Sequence, residues 1–63
     1  MQKVKDILQE TEPELLVVIY KNGFIIKAAA AADLLEENPA YLQSDVLKKK
    51  TYPKRINLYI SNQ

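Results

Sequence analysis

Residues 15–29 read LLVVIYKNGFIIKAA, and this stretch decides the fold. Two runs rich in Val, Ile, Tyr and Phe flank the dipeptide Asn22-Gly23, which contains the only glycine of the chain. A type I′ turn needs positive φ at both central residues, which asparagine tolerates and glycine adopts freely. The stretch therefore predicts a β-hairpin with a two-residue turn.

The two-residue turn also predicts the register of the hairpin. The expected cross-strand pairs are Lys21–Phe24, Tyr20–Ile25, Ile19–Ile26 and Val17–Ala28. Side chains alternate between the faces of a strand, so the hairpin has two apolar faces. The first comprises Leu15, Val17, Ile19, Phe24, Ile26 and Ala28. The second comprises Leu16, Val18, Tyr20, Ile25 and Lys27.

The second apolar face needs a cover. An antiparallel sheet in a small protein usually has one buried and one solvated face, and a chain this short has few elements to cover both. We therefore predict that this face is an interface with another subunit or another protein, formed by Leu16, Val18, Tyr20 and Ile25. The alternative is that these side chains are half exposed and shielded by the stems of Lys21 and Lys27.

Two helices are predicted around the hairpin. The apolar residues Val4, Ile7 and Leu8 recur at helical spacing and predict a short helix over residues 2–10 that docks on the hairpin. The alanine run at 28–32 leads into leucine and glutamate, which are also strong helix formers. A second helix is therefore expected to begin near Ala30.

The last third of the chain predicts a second pair of strands. Asn38 and Pro39 suit a helix stop and restart. Residues 46–52 fit a strand with exposed lysines better than a helix extension, and residues 53–55 fit a turn. Residues 56–60, INLYI, alternate with the three aliphatic side chains inward, and residues 61–63 form a polar end.

The sum is an α+β fold in the order α-ββ-α-ββ, with an antiparallel sheet. The 63 residues make one small domain, 1–63, near the lower limit for folding alone. With no cysteine available for disulfides, association with another chain is the expected source of extra stability, and a homo-oligomer is predicted.

Composition argues against catalysis. The chain has no histidine and no cysteine, which removes the general base of neutral pH, the thiolate nucleophile and the usual zinc ligands. The sequence therefore predicts a protein that is not an enzyme and has neither a metal site nor a cofactor. No apolar run approaches the ~20 residues of a membrane span, and no signal-peptide pattern is found, so no membrane contact and a cytoplasmic location are expected.

Charge is divided along the chain. Residues 1–45 hold four lysines and all eight acids, a balance of −4, whereas residues 46–63 hold five cations and no acid. The segment KKKTYPKR at 48–55 could bind nucleic acid through Lys48, Lys49, Lys50, Tyr52, Lys54 and Arg55. The near-neutral charge balance of the chain favours the other interpretation, a solubilising strand edge or a contact with an acidic protein surface.

Several segments resemble small uncharacterised proteins encoded in phages and prophages of low-GC Gram-positive bacteria. These segments are VKDIL at 4–8, VVIYKNG at 17–23, ADLL at 32–35, YL at 41–42 and INLYI at 56–60. The resemblance spans nearly the whole chain, and its motifs are structural. It implies an accessory phage protein that acts by binding in the host cytoplasm, and it supplies no catalytic residue.

Taken together, the sequence favours a small, self-associating, protein-binding accessory factor, either an inhibitor of a host protein or an assembly factor. Its alternative is a nucleic-acid-binding protein that uses the basic segment 48–55. The protein-binding hypothesis depends on the second apolar face of the hairpin. The nucleic-acid-binding hypothesis depends on the cluster of cations at 48–55.

Overall fold

The computed structural model describes residues 2–61, and the predicted order of elements is confirmed. The elements are α1 (Val4–Glu10), β1 (Leu16–Lys21), β2 (Phe24–Ala30), α2 (Ala31–Glu37), a 3₁₀ helix (Ala40–Gln43), β3 (Val46–Tyr52) and β4 (Arg55–Ile60). The fold class is α+β, as predicted. The polar end predicted at 61–63 lies, beyond Ser61, outside the described residues.

The four strands form one mixed sheet in the order β2-β1-β4-β3. Each hairpin is antiparallel, but the two hairpins join through β1 and β4, which run parallel. The prediction of a purely antiparallel sheet is therefore wrong at this central pair. A parallel pair needs a crossover of a dozen or more residues, and residues 22–54 provide it. Both central strands are mainly apolar, as buried parallel strands usually are.

The first hairpin turns at Asn22 and Gly23, whose φ angles are 57° and 80°. Next to the turn the register is as predicted, because Lys21 lies opposite Phe24 and Tyr20 opposite Ile25. A β-bulge then follows.

The bulge corrects the rest of the predicted register. Ile26 is the extra residue, so Ile19 lies opposite Lys27 and not Ile26. Val17 in turn lies opposite Ala29 and not Ala28, which pairs with Val18. Lys27 and Ala28 therefore exchange faces relative to the prediction.

The helices and one face of the sheet enclose a single hydrophobic core. Its members are Val4, Ile7, Leu8, Val17, Ile19, Ala31, Leu34, Leu42, Ile56, Leu58 and Ile60. The aliphatic side chains of INLYI point inward, as predicted. At the centre, Ile19 of β1 lies beside Leu58 of β4, and both are fully buried. The apolar residues of α1 recur three and four positions apart, so they form one stripe along the helix, and this stripe packs against the sheet.

Asn38 ends α2 and does not start the next helix. It adopts the left-handed conformation, with φ 52° and ψ 52°, and its backbone N–H donates to the carbonyl of Leu34. Asparagine is, after glycine, the usual residue at such a helix end. Pro39 precedes the 3₁₀ helix, whose Leu42 is buried in the core.

A short clamp joins the start of the chain to β3. The backbone N–H of Val4 donates to the carbonyl of Ser44 at 3.0 Å, and that of Val46 donates to the carbonyl of Gln2 at 2.9 Å. Beside these bonds, Lys3 Nζ lies 2.7 Å from Asp45 Oδ1. This hydrogen bond and the lysine charge lower the pKa of Asp45 below its ordinary 3.8.

Because the pKa of Asp45 is lowered on folding, the ion pair favours the folded state above pH 3.8, and this contribution is lost as pH falls through the lowered value. We expect the NMR titration midpoint of Asp45 to lie below 3.8 and to rise towards it in Lys3→Met. Lys5→Met removes an exposed lysine that does not contact Asp45 and should leave the midpoint in place. An equal shift in both variants would contradict the clamp.

Candidate functional site: the open face of the sheet

The second face of the sheet is not covered by a helix within residues 2–61, and we call it the open face. Strand alternation places on it Ile25, Ala28 and Ala30 of β2, Leu16, Val18 and Tyr20 of β1, Arg55, Asn57 and Tyr59 of β4, and Lys48, Lys50 and Tyr52 of β3. All four residues of the predicted interface are therefore brought together on one surface.

A row of aromatic and cationic side chains crosses the open face. Tyr20 and Tyr59 lie side by side on the parallel central strands, and their rings stack with centroids 4.6 Å apart and planes 18° apart. On the β3 side, the ammonium groups of Lys48 and Lys50 lie 6.0 and 5.9 Å from the Tyr59 ring centroid. These distances are at the outer limit of cation–π attraction. The Tyr59 ring is thus flanked on one side by tyrosine and on the other by cations.

A second cation–aromatic pair lies at the hairpin end of β3 and β4. The guanidinium carbon of Arg55 lies 4.6 Å from the Tyr52 ring centroid. Together with Leu16, Pro53 and Lys54, these two residues line a shallow pocket. The exposed Leu16 is the aliphatic part of this corner.

Two residues at the centre of the open face are almost completely buried. Val18 and Asn57 are neighbours on β1 and β4, with only 7% and 4% of their surface exposed. The Oδ1 atom of Asn57 is buried and has no hydrogen-bond partner among the described residues. A buried polar atom without a partner costs stability, so Asn57 is a destabilising residue at the centre of this face.

The structure separates the predicted basic segment into three groups. Lys48, Lys50, Tyr52 and Arg55 lie on the open face. Lys49 lies opposite Leu58 and therefore on the helix side, and Lys54 lies in the turn. The alternative to the interface, in which the stems of Lys21 and Lys27 shield the second face, is wrong, because both lysines lie on the helix side. The lysines that lie on this face are Lys48 and Lys50.

The charges of the molecule divide between its two sides. The eight acids occupy α1, α2 and the loops around them, and none lies on a strand. The open face carries Lys48, Lys50 and Arg55 and no carboxylate among the described residues. This arrangement produces a positive potential over the open face, which favours the approach of an anionic surface.

Sequence reasoning missed Asn57 and Tyr59 as members of the site. INLYI was expected to place both outward, which is correct for their face, but Asn57 is buried there. The contact of Tyr59 with Tyr20 depends on the parallel pairing of β1 and β4, for which the sequence gives no local signal. A polar residue in the middle of an apolar strand was the available sign for Asn57.

Within residues 2–61, no group of three carboxylate, histidine or cysteine side chains could hold a metal ion. None of the described helices is long and apolar enough to cross a membrane. The open face presents cations, aromatic rings and two exposed aliphatic side chains, Leu16 and Ile25.

Comparison with known proteins finds no matching family model, no similar curated protein and no matching solved structure. The resemblance to small phage proteins thus stays a prediction from the sequence.

Proposed function

We propose that this protein is a small accessory factor that acts by binding another protein, and that the open face contacts an acidic surface of that partner. The observation that carries the proposal is the charge of the open face. Lys48, Lys50 and Arg55 lie on it, and none of the described carboxylates does. A partner surface that carries carboxylates would complement these three cations.

The aliphatic corners support a protein as the partner. Leu16 is exposed at one end of β1, and Ile25 is exposed at the other end, beside Tyr20. Aromatic and arginine side chains are enriched at protein interfaces, and apolar contacts add area around the charged centre. A second copy fits this face less well, because its Lys48, Lys50 and Arg55 would enter the same interface and repel their counterparts.

Nucleic acid is the second candidate. The cations Lys48, Lys50 and Arg55 share one face with Tyr52, which favours contact with phosphates. Base stacking on Tyr59 is hindered, because Tyr20 and the two lysines occupy its surroundings. Nucleic acid binding on this face would therefore depend on phosphates, with affinity that falls steeply as salt rises.

The phage origin and the cytoplasmic location belong to the same proposal. They rest on the resemblance of the sequence segments and on the absence of cysteine. In this setting the partner is a host protein that the factor inhibits, or a phage protein whose assembly it assists.

Two single charge reversals on β3 test the proposal. Lys50→Glu changes the open face, and Lys49→Glu makes the same change of charge one residue away on the helix side. Each variant is immobilised and exposed to a bacterial protein extract, with and without nuclease. We expect a discrete protein to be retained by the wild type and by Lys49→Glu, and to be lost with Lys50→Glu.

The nuclease arm separates the two candidate functions. Retention that survives nuclease supports a protein partner, whereas retention that disappears supports nucleic acid. If Lys49→Glu and Lys50→Glu lose the same proteins to the same extent, the open face is not the binding surface.

A further inference from the structure

We propose that a second copy of this chain pairs antiparallel with the free edge of β2, so that two four-stranded sheets join into one of eight strands. This surface adjoins the open face, with which it shares Ile25, but it consists of the backbone edge of β2. It lies at the outer side of the sheet order β2-β1-β4-β3, where the outward backbone groups of β2 face no other strand among the described residues.

The side chains of β2 make its edge unusually apolar. Phe24, Ile25 and Ile26 are consecutive and expose 74%, 59% and 43% of their surface. The opposite edge strand, β3, carries three consecutive lysines, Lys48 to Lys50. Charged edge strands resist pairing with another chain, whereas exposed apolar edges promote it. The sheet is therefore protected at β3 and open to pairing at β2.

The sequence of β2 fits a second copy of itself. It reads FIIKAAA, with three large side chains before Lys27 and three alanines after it. Antiparallel pairing about a twofold axis at or next to Lys27 places the large residues of one strand opposite the alanines of the other. Parallel pairing in register would place large against large. The size pattern thus selects the isologous arrangement that closed dimers use.

The single charge of β2 is compensated. Lys27 Nζ lies 3.3 Å from Glu37 Oε1 of α2, so each copy brings a lysine with its own counter-ion to the twofold axis. Two bare lysines opposite each other would repel. The β-bulge at Ile26 interrupts the regular backbone of β2. We therefore expect the dimer to be stabilised by contacts between isoleucine and alanine side chains as well as by a short ladder of backbone hydrogen bonds.

Mass in solution tests the pairing. Light scattering after size exclusion should give twice the 7.2 kDa chain mass for the wild type, and 7.2 kDa for Ile26→Lys. Leu47→Lys is the matched control, because Leu47 is the exposed apolar residue at the bulge of the other edge strand, and it should remain dimeric. Circular dichroism checks that each variant is folded.

A cross-link gives a second readout. The chain has no cysteine, so Lys27→Cys introduces a single thiol near the twofold axis, and Lys49→Cys introduces one on β3. We expect Lys27→Cys to form a disulfide dimer at least about tenfold faster than Lys49→Cys does. Antiparallel pairing brings the Cα atoms of residue 27 in the two copies within disulfide range.

The proposal is overturned if the mass of the wild type stays at 7.2 kDa up to a chain concentration of about 1 mM, at which even weak association produces a detectable fraction of dimer. It is also overturned if the two cysteine variants cross-link at equal rates. A dimer that Lys50→Glu dissociates and Ile26→Lys does not would place the second copy on the open face instead.

Discussion

Replacing Leu58 with alanine should destabilise the protein by about 2–5 kcal/mol, as large-to-small changes in a core do. Leu58 is fully buried on β4 and lies beside Ile19, at the junction of the two hairpins. A domain of this size has a free energy of unfolding of only about 3–5 kcal/mol. The variant is therefore expected to be largely unfolded at room temperature, with loss of β-sheet signal in circular dichroism.

Leu47→Ala is the control for this change. It removes the same atoms from a leucine that is 61% exposed, so its effect on unfolding should stay within about 0.5 kcal/mol. Urea titration of both variants measures the difference. A Leu58 variant as stable as the Leu47 variant would contradict the arrangement in which β1 and β4 form the centre of the core.

Asn57→Val should raise the free energy of unfolding by about 1–3 kcal/mol, although it removes a polar group from the protein. Only 4% of the surface of Asn57 is exposed, and its Oδ1 atom has no hydrogen-bond partner among the described residues. Such an atom costs about 1–3 kcal/mol when buried, and valine suits a strand better than asparagine does. The gain should appear as a higher urea midpoint.

Asn57→Asp gives the opposite stability change, because an unpaired charge at this buried position is costlier than an amide. If Asn57→Val is less stable than the wild type, its amide is satisfied and the argument from Oδ1 fails.

The sequence predicted local features well because local signals determine them. Asn22-Gly23 located the first turn, and the alternation in INLYI oriented the last strand. The helical spacing of Val4, Ile7 and Leu8 predicted which side of α1 is buried. Each of these depends on residues within a few positions of one another.

The parallel contact between β1 and β4 was missed because it is not local. Two hairpins can join through any of their edges, and the choice of Ile19 beside Leu58 depends on how the whole core packs. The bulge at Ile26 was missed for a related reason. The turn alone implies a continuous register, and the shift brings Lys27 to the helix side, where it meets Glu37.

The candidate site was predicted in parts that the structure combines. The apolar second face and the basic segment were treated as competing surfaces, yet Val18 and Tyr20 share the open face with Lys48 and Lys50. Alternation along β3 could have separated Lys49 from its neighbours. The stack of Tyr20 on Tyr59 could not be foreseen without the parallel pair.

The central claim is that the open face binds an acidic surface, and the most direct measurement compares Lys50→Glu with Lys49→Glu against a defined probe. Poly-L-glutamate is titrated into the isotope-labelled variants, and NMR follows the backbone and side-chain amides of Asn57. We predict that these signals shift in the wild type and in Lys49→Glu, and that Lys50→Glu weakens binding at least about tenfold, a loss of about 1.4 kcal/mol. Equal weakening by both reversals, or shifts confined to the helix side, would contradict the claim.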